Sequence, residues 1–358
     1  MRILVVNPGA TSTKIAVFED ETEVFKRTLD HDSASISSFE RVVDQRSWRL
    51  QGIRDVLDES GFDLSRFDAV AGRGGLVRHI PSGTYKVSPQ VIDDLEAARF
   101  GEHASNLGPL LASDLAAIAG VDAYFVDPVS VDELDDLARV SGFKGMERQS
   151  FFHALNQKSV ARTAAARLGK PYESVNLVVV HMGGGVSVAA HRAGRVVDVF
   201  NVRDEGSFSM DRAGGLPVNA LIDFCYSGRP KAEVKRILGT QAGVYSYLGT
   251  RDFREVLRRA DSGDAEARTV FEALVYQHSK DIGAMAAVLR FSVDAIVLTG
   301  GMANSERLCS AIEAYVGKIA PLIVLPGEEE MRALAEGTLR VLRGGSLGIY
   351  PGAEEVNA

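Results

Sequence analysis

The chain opens on an apolar run, Ile3-Leu4-Val5-Val6, and a second run, Ile15-Ala16-Val17-Phe18, follows the polar and glycine-containing stretch 7–14. Short apolar runs bounded by Gly, Pro and Asn read as buried strands, so residues 2–27 predict a hairpin. Helical spacing covers about 38–59, and Asp68-Ala69-Val70-Ala71 predicts a short strand entering the loop GRGGLVRHIPSGTY. Helical patterns return at 88–99 and 104–119. The run 121–130 is a strand that stops at Pro128, because the residue before a proline avoids helical geometry.

A second region begins near Phe151. HALNQKSVARTAAARLGK has helical spacing, with Ala154, Val160, Ala161, Ala164 and Leu168 on one face. NLVVVHMGGGVSVAAHRAGRVVDVF then predicts strand, glycine loop, strand, tight turn and strand. A long helix at 264–290, the strand Ala295-Ile296-Val297-Leu298, a helix starting near Asn304 or Ser305, and a final strand, turn and helix complete the pattern. Helices alternating with strands predict an α/β fold. The strand–turn–strand arrangement occurs twice, about 170 residues apart, which predicts a duplicated module.

Length and charge narrow the picture. At 358 residues the chain is long for one core and comfortable for two domains. A net charge of -8 gives no reason to expect nucleic acid or an anionic membrane as partner, and any polyanion must be held by a few local cations. No apolar run approaches the roughly 20 residues of a membrane helix, and no signal-peptide core opens the chain. We expect a cytoplasmic protein, with Cys225 and Cys309 buried and reduced.

The candidate chemistry lies in three glycine loops. NPGATSTK has the composition of a phosphate loop but lacks the glycine spacing of a Walker A motif and leads into a strand. What remains is a hairpin tip offering N–H groups, hydroxyls and one lysine to anionic oxygens. In HMGGG, His181 precedes Gly183, Gly184 and Gly185 at a strand end, where glycine permits close backbone approach and positive φ. In TGGMANSER, Gly300 and Gly301 separate a strand from a helix start that favours anions. Together the loops point to a nucleotide.

NPGATSTK, HALNQK, HMGGGVSVAAHRAGRVVDV and RAGGLP together resemble the butyrate-kinase branch of the acetokinase family, within the superfamily of acetate and sugar kinases, heat-shock ATPases and actin. The resemblance runs from Ile3 to about Tyr350. It implies two duplicated ribonuclease-H-like domains, 1–148 with 332–358 and 149–331, with an ATP cleft between them. It also implies reversible phosphoryl transfer between ATP and a short-chain carboxylate, giving acyl phosphate and ADP. A homo-oligomer is expected, with no nucleic-acid or membrane partner.

Roles follow residue by residue from that resemblance. Arg73 and Arg212 match guanidiniums that neutralise the substrate carboxylate and the transferring phosphoryl group. His181 matches a histidine that hydrogen-bonds that group; a carboxylate nucleophile is already ionised at pH 7 and needs no base. His103 and Asn106 match the region facing the acid. Asn7, Thr11, Ser12 and Lys14 match the phosphate hairpin, and Gly183, Gly184, Gly185, Gly300 and Gly301 the nucleotide-facing loops. Asp127 and Glu330 are the expected Mg²⁺ ligands, with Glu328 and Glu329 open by register. Ala10 stands where acetate kinases usually carry serine. NVRDEGSFSMDRAGGLP is shorter and differently charged than the usual butyrate-kinase segment, which leaves the residues preceding Arg212 without assigned roles.

Acetate and butyrate differ by two methylenes, together about 1.6 kcal/mol or roughly 15-fold. The acid is therefore expected to be butyrate or isobutyrate on the whole pattern of the resemblance. Acetate or propionate kinase is the alternative, and an actin-like or heat-shock-like ATPase the non-kinase one.

Overall fold

The computed structural model describes residues 1–352 of the chain. Its first sheet contains β1 (Arg2–Pro8), β2 (Ser12–Glu19), β3 (Thr22–Asp30), β4 (Ala69–Arg73), β5 (Thr84–Lys86) and β6 (Asp122–Val126) in the order β3-β2-β1-β4-β6-β5. The parallel core is β1, β4 and β6; β2, β3 and β5 run antiparallel to their neighbours. Ile3, Leu4, Val5 and Val6 are all fully buried, which explains an unbroken apolar run where one covered face would leave alternation. Leu4 and Val6 pack with Leu107, Leu111 and Leu115 of the helix Leu107–Ala119. Successive side chains point to opposite faces, and the helix Glu330–Leu342 also packs on β1, β4 and β6.

The second sheet contains β7 (Asn176–Met182), β8 (Val186–Arg192), β9 (Arg195–Phe200), β10 (Ala295–Gly300) and β11 (Leu322–Pro326), ordered β11-β10-β7-β8-β9. Val178 and Val180 pack with Leu274, Ile282 and Met285 of the helix Ala265–Val288; Leu177 and Val179 pack with Val160, Ala161 and Ala164 of the helix Ala154–Arg167. The expected duplication is present. In both sheets three antiparallel strands are followed by two added parallel to the first. Even the irregularity repeats: the outer hairpin shifts register at Val17/Phe18 in one sheet and at Ala190/His191 in the other.

Differences from expectation have local causes. The opening hairpin is a three-stranded meander, since β3 carries mostly exposed residues and lacks the apolar signature. The chain divides into two compact units, Met1–Asp132 with the segment from Glu329, and Glu133–Glu328. Residues 133–148 hold to the second unit through polar contacts: Lys158 Nζ to Glu133, Arg192 to Asp135, and Arg148 to Asp198 and Glu205. Cys309 is buried, but Cys225 is exposed, on a helix, Val218–Cys225, with no buried residue. No helix among the described residues is long and apolar enough to cross a membrane.

Candidate functional site

In the first unit the candidate residues sit at the carboxyl ends of the parallel strands, where open α/β sheets bind ligands. Asn7 is the last residue but one of β1, Arg73 ends β4, and Asp127 follows β6. Arg73 grips Glu330 with both terminal nitrogens, at 3.0 and 3.1 Å, and Asn7 Nδ2 donates to the same carboxylate at 2.7 Å. Asn7, Arg73 and Glu330 therefore form one cluster, with the carboxylate already occupying the guanidinium fork. Asp127 is 3% exposed, and its Oδ1 accepts from Ser82 Oγ at 2.6 Å and Gly83 N at 2.8 Å. Its φ of 39° is a conformation non-glycine residues rarely adopt, and Pro128 follows. Gly72 and Gly108 touch with no room for a Cβ on either, which brings the helix Leu107–Ala119 directly under the backbone of Arg73.

Asn106 is held to backbone at both ends of its amide. Oδ1 accepts from Leu76 N and Nδ2 donates to Gly101 O, so it ties the loop after β4 to the helix start. His103 caps the same turn through Nδ1 and is itself exposed. Thr11 and Lys14 are exposed on the β1–β2 hairpin.

In the second unit His181 is the last residue but one of β7 and is 1% exposed. Its Nδ1 lies 2.8 Å from Asn156 Oδ1 and its Nε2 3.1 Å from a Glu328 oxygen. His153 stacks flat on it, with ring centroids 3.7 Å apart. Beneath, Ser187 Oγ bonds His153 Nδ1 and accepts from Gln157 Nε2; Gln157 Oε1 meets His191, and His191 meets Tyr172. The motif HALNQK is thus the scaffold under His181, with His153, Asn156 and Gln157 each in contact with it or with its support. No role for His153, Asn156 or Gln157 follows from the sequence alone. The signal available was their helical phase, because residues three and four apart share a face.

Gly183, Gly184 and Gly185 do not use positive φ. Gly185 is needed for space: a Cβ there would lie 2.8 Å from Arg212 Nη1 and 2.6 Å from Val202 Cγ2. Gly300 does use positive φ, at 86°, where its backbone lies against that of Met182 at the end of the neighbouring β7. Arg212 donates to Val202 O at 3.0 Å, and burial pulls its pKa below the ordinary arginine value against the opposing charge of Asp211. A cavity of about 710 Å³ lies beside it, walled by Phe208, Ala213, Leu216, Leu238 and Val270. Those apolar walls lack the cations that a triphosphate requires.

The sequence pattern of the acetokinase family matches residues 142–321. Butyrate kinase 1 of Clostridium acetobutylicum is 48% identical over 345 residues, 96% of this chain and 97% of that protein. This chain belongs to the acetokinase family. Among solved structures, acetate kinase of Porphyromonas gingivalis superposes with TM-score 0.77 at 20% identity, over 95% of this chain and 99% of that one. A propionate kinase of Francisella tularensis gives TM-score 0.77 at 17% identity, over 94% and 98%. At such identities these two establish the acetokinase fold alone. Membership of a kinase family carries the use of ATP and ADP.

Proposed function

We propose that this acetokinase-family chain is a butyrate kinase, reversibly phosphorylating butyrate or isobutyrate from ATP by direct in-line transfer. The observation that carries the reading is the 48% identity to Butyrate kinase 1 across nearly the whole of both chains. The acid's carboxylate oxygen attacks the γ-phosphorus, the bond to the β–γ bridging oxygen breaks, and ADP leaves with the electron pair. We assign the activity to the cytoplasm, where its co-substrate ATP is found.

Two guanidiniums are assigned to neutralise negative charge. Arg73 takes the substrate carboxylate and the transferring group, and Arg212 the transferring phosphoryl group. His181 presents Nε2 to a phosphoryl oxygen; Asn156 on Nδ1 sets the ring's orientation. Asn7, Thr11, Ser12 and Lys14 hold phosphate oxygens, while Gly183, Gly184, Gly185, Gly300 and Gly301 give the nucleotide close access to backbone. His103 lies toward the acid, and Asn106 shapes that wall through its loop.

Asp127 suits Mg²⁺, which takes one or two carboxylates and completes its shell with water and phosphate oxygens. Glu330 is the second carboxylate, and that role requires it to release Arg73. Bound there, the ion supplies charge neutralisation on the phosphates.

The test is an assay with ATP, Mg²⁺ and C2 to C5 acids, trapping acyl phosphate with hydroxylamine. Butyrate or isobutyrate should give the strongest signal. No product with any acid sinks the kinase reading. A best signal with acetate or propionate sinks only the choice of acid.

A further inference from the structure

Arg49, on the helix Arg46–Glu59, is 1% exposed and has no carboxylate within ion-pair distance among the described residues. Burying an unpaired guanidinium is costly unless its donors are satisfied, and here every one is, by neutral acceptors. Nη1 donates to Gly9 O at 2.9 Å, Ser12 O at 3.1 Å and Thr13 Oγ1 at 3.0 Å. Nη2 donates to Ala10 O at 3.2 Å, and Gln45 Oε1 accepts from both Nε and Nη2. Burial lowers its pKa to about 10, which still leaves a full positive charge at pH 7.

Three of those acceptors are carbonyls of the β1–β2 hairpin tip, and this fixes where its amides point. In a trans peptide the C=O of one residue and the N–H of the next are opposed, and the chain has no cis bonds. Drawing Gly9 O and Ala10 O inward to Arg49 turns the N–H groups of Ala10 and Thr11 outward. Neither amide donates to a protein acceptor among the described residues, and both residues are exposed. The tip therefore shows two open donors to solvent, with a buried cation directly behind their peptide planes.

We propose that Arg49 is the positioning residue of the phosphate hairpin: it pins the tip's carbonyls inward, aims the Ala10 and Thr11 amides at nucleotide phosphate, and adds an unneutralised charge beneath them. This rests on the reading that the hairpin takes ATP phosphate. It also explains how Ala10 serves in place of a hydroxyl-bearing residue, since the contact at that position is made by backbone.

The test uses the full-length protein and two variants that treat the two parts separately. Arg49→Lys keeps the charge but loses the fork. Gln45→Glu keeps the side-chain shape and puts a carboxylate against the guanidinium, cancelling its charge. ADP affinity by calorimetry should weaken about 10-fold or more in Arg49→Lys and roughly 3- to 10-fold in Gln45→Glu. KM for ATP should rise in parallel while KM for butyrate stays within about 2-fold. A purely structural role would lower the active fraction and leave the ADP Kd of the folded protein unchanged. Unchanged ADP Kd in both variants, with wild-type circular dichroism, overturns the proposal. Should one variant fail to fold, the other decides. If no acid is phosphorylated by the wild type, the butyrate reading fails while the ADP measurement still judges Arg49.

Discussion

The two units repeat one strand order and one outer-hairpin irregularity, yet corresponding strand ends carry different chemistry. Where β1 carries Asn7 one residue before its end, β7 carries His181 at the same place; where β4 ends in Arg73, β10 ends in Gly300. The first hairpin is held from behind by the buried cation of Arg49. At the matching glycine loop the Arg212 guanidinium packs against Gly185 but, among the described residues, donates to Val202 O and to no loop carbonyl, while Ser209 Oγ donates to Gly184 O. Duplication thus reproduced backbone geometry, which sheet hydrogen bonding enforces. The side chains near the strand ends were free to diverge, because the ladder pairing there is made by backbone and does not depend on side-chain identity.

The comparison is broken most severely by removing one guanidinium from each unit. Arg73→Ala and Arg212→Ala should each lower kcat/KM by roughly 10³–10⁵, about 4–7 kcal/mol. Near-native turnover in either would show that its unit contributes no transition-state charge. Next comes the support of His181. Asn156→Ala should cost roughly 10–100-fold in kcat, about 1.4–2.7 kcal/mol, with little change in KM for ATP. Nitrogen NMR of the imidazole should show a changed Nδ1 signal once its contact with Asn156 is lost; an unaltered signal would remove Asn156 from the mechanism.

The hairpin glycines give a smaller contrast. Gly185→Ala forces a methyl into Arg212 and Val202, and overpacking of this kind costs about 1–3 kcal/mol. At Gly9 the nearest neighbour of an added Cβ is Ser12 O at 3.5 Å, an ordinary contact, so Gly9→Ala should change stability by under about 0.5 kcal/mol. Urea unfolding of the pair measures the difference, and equal costs would contradict it.

The last contrast is in acid response. The second unit buries His191 and His278 completely, and burial lowers both pKa values, His278 to about 4. The unfolded chain, with histidine near 6.5, binds protons that the folded state refuses, so stability falls as pH drops below about 6.5. For His278 the loss between pH 7 and 5 is about 2 kcal/mol. His278→Phe should flatten that slope by one proton, and an unchanged slope would mean that other groups govern it.

The chain by itself determined the two hairpins, the glycine loops, the α/β class and the family, because strand burial and turn chemistry are local properties that a run of residues displays. HALNQK was legible as a motif and as a helix, but not as a support for His181: Asn156 and His181 lie 25 positions apart, and only sheet packing brings them within 2.8 Å. The grip of Arg73 on Glu330 spans 257 positions, and the exposure of Cys225 depends on what its helix fails to pack against. Arg49 reads in the sequence as one more charged residue in a stretch of helical spacing. Only the tertiary structure turns it inward beneath Gly9 and Ala10, because the cost of burying a guanidinium depends on acceptors supplied by a distant part of the chain.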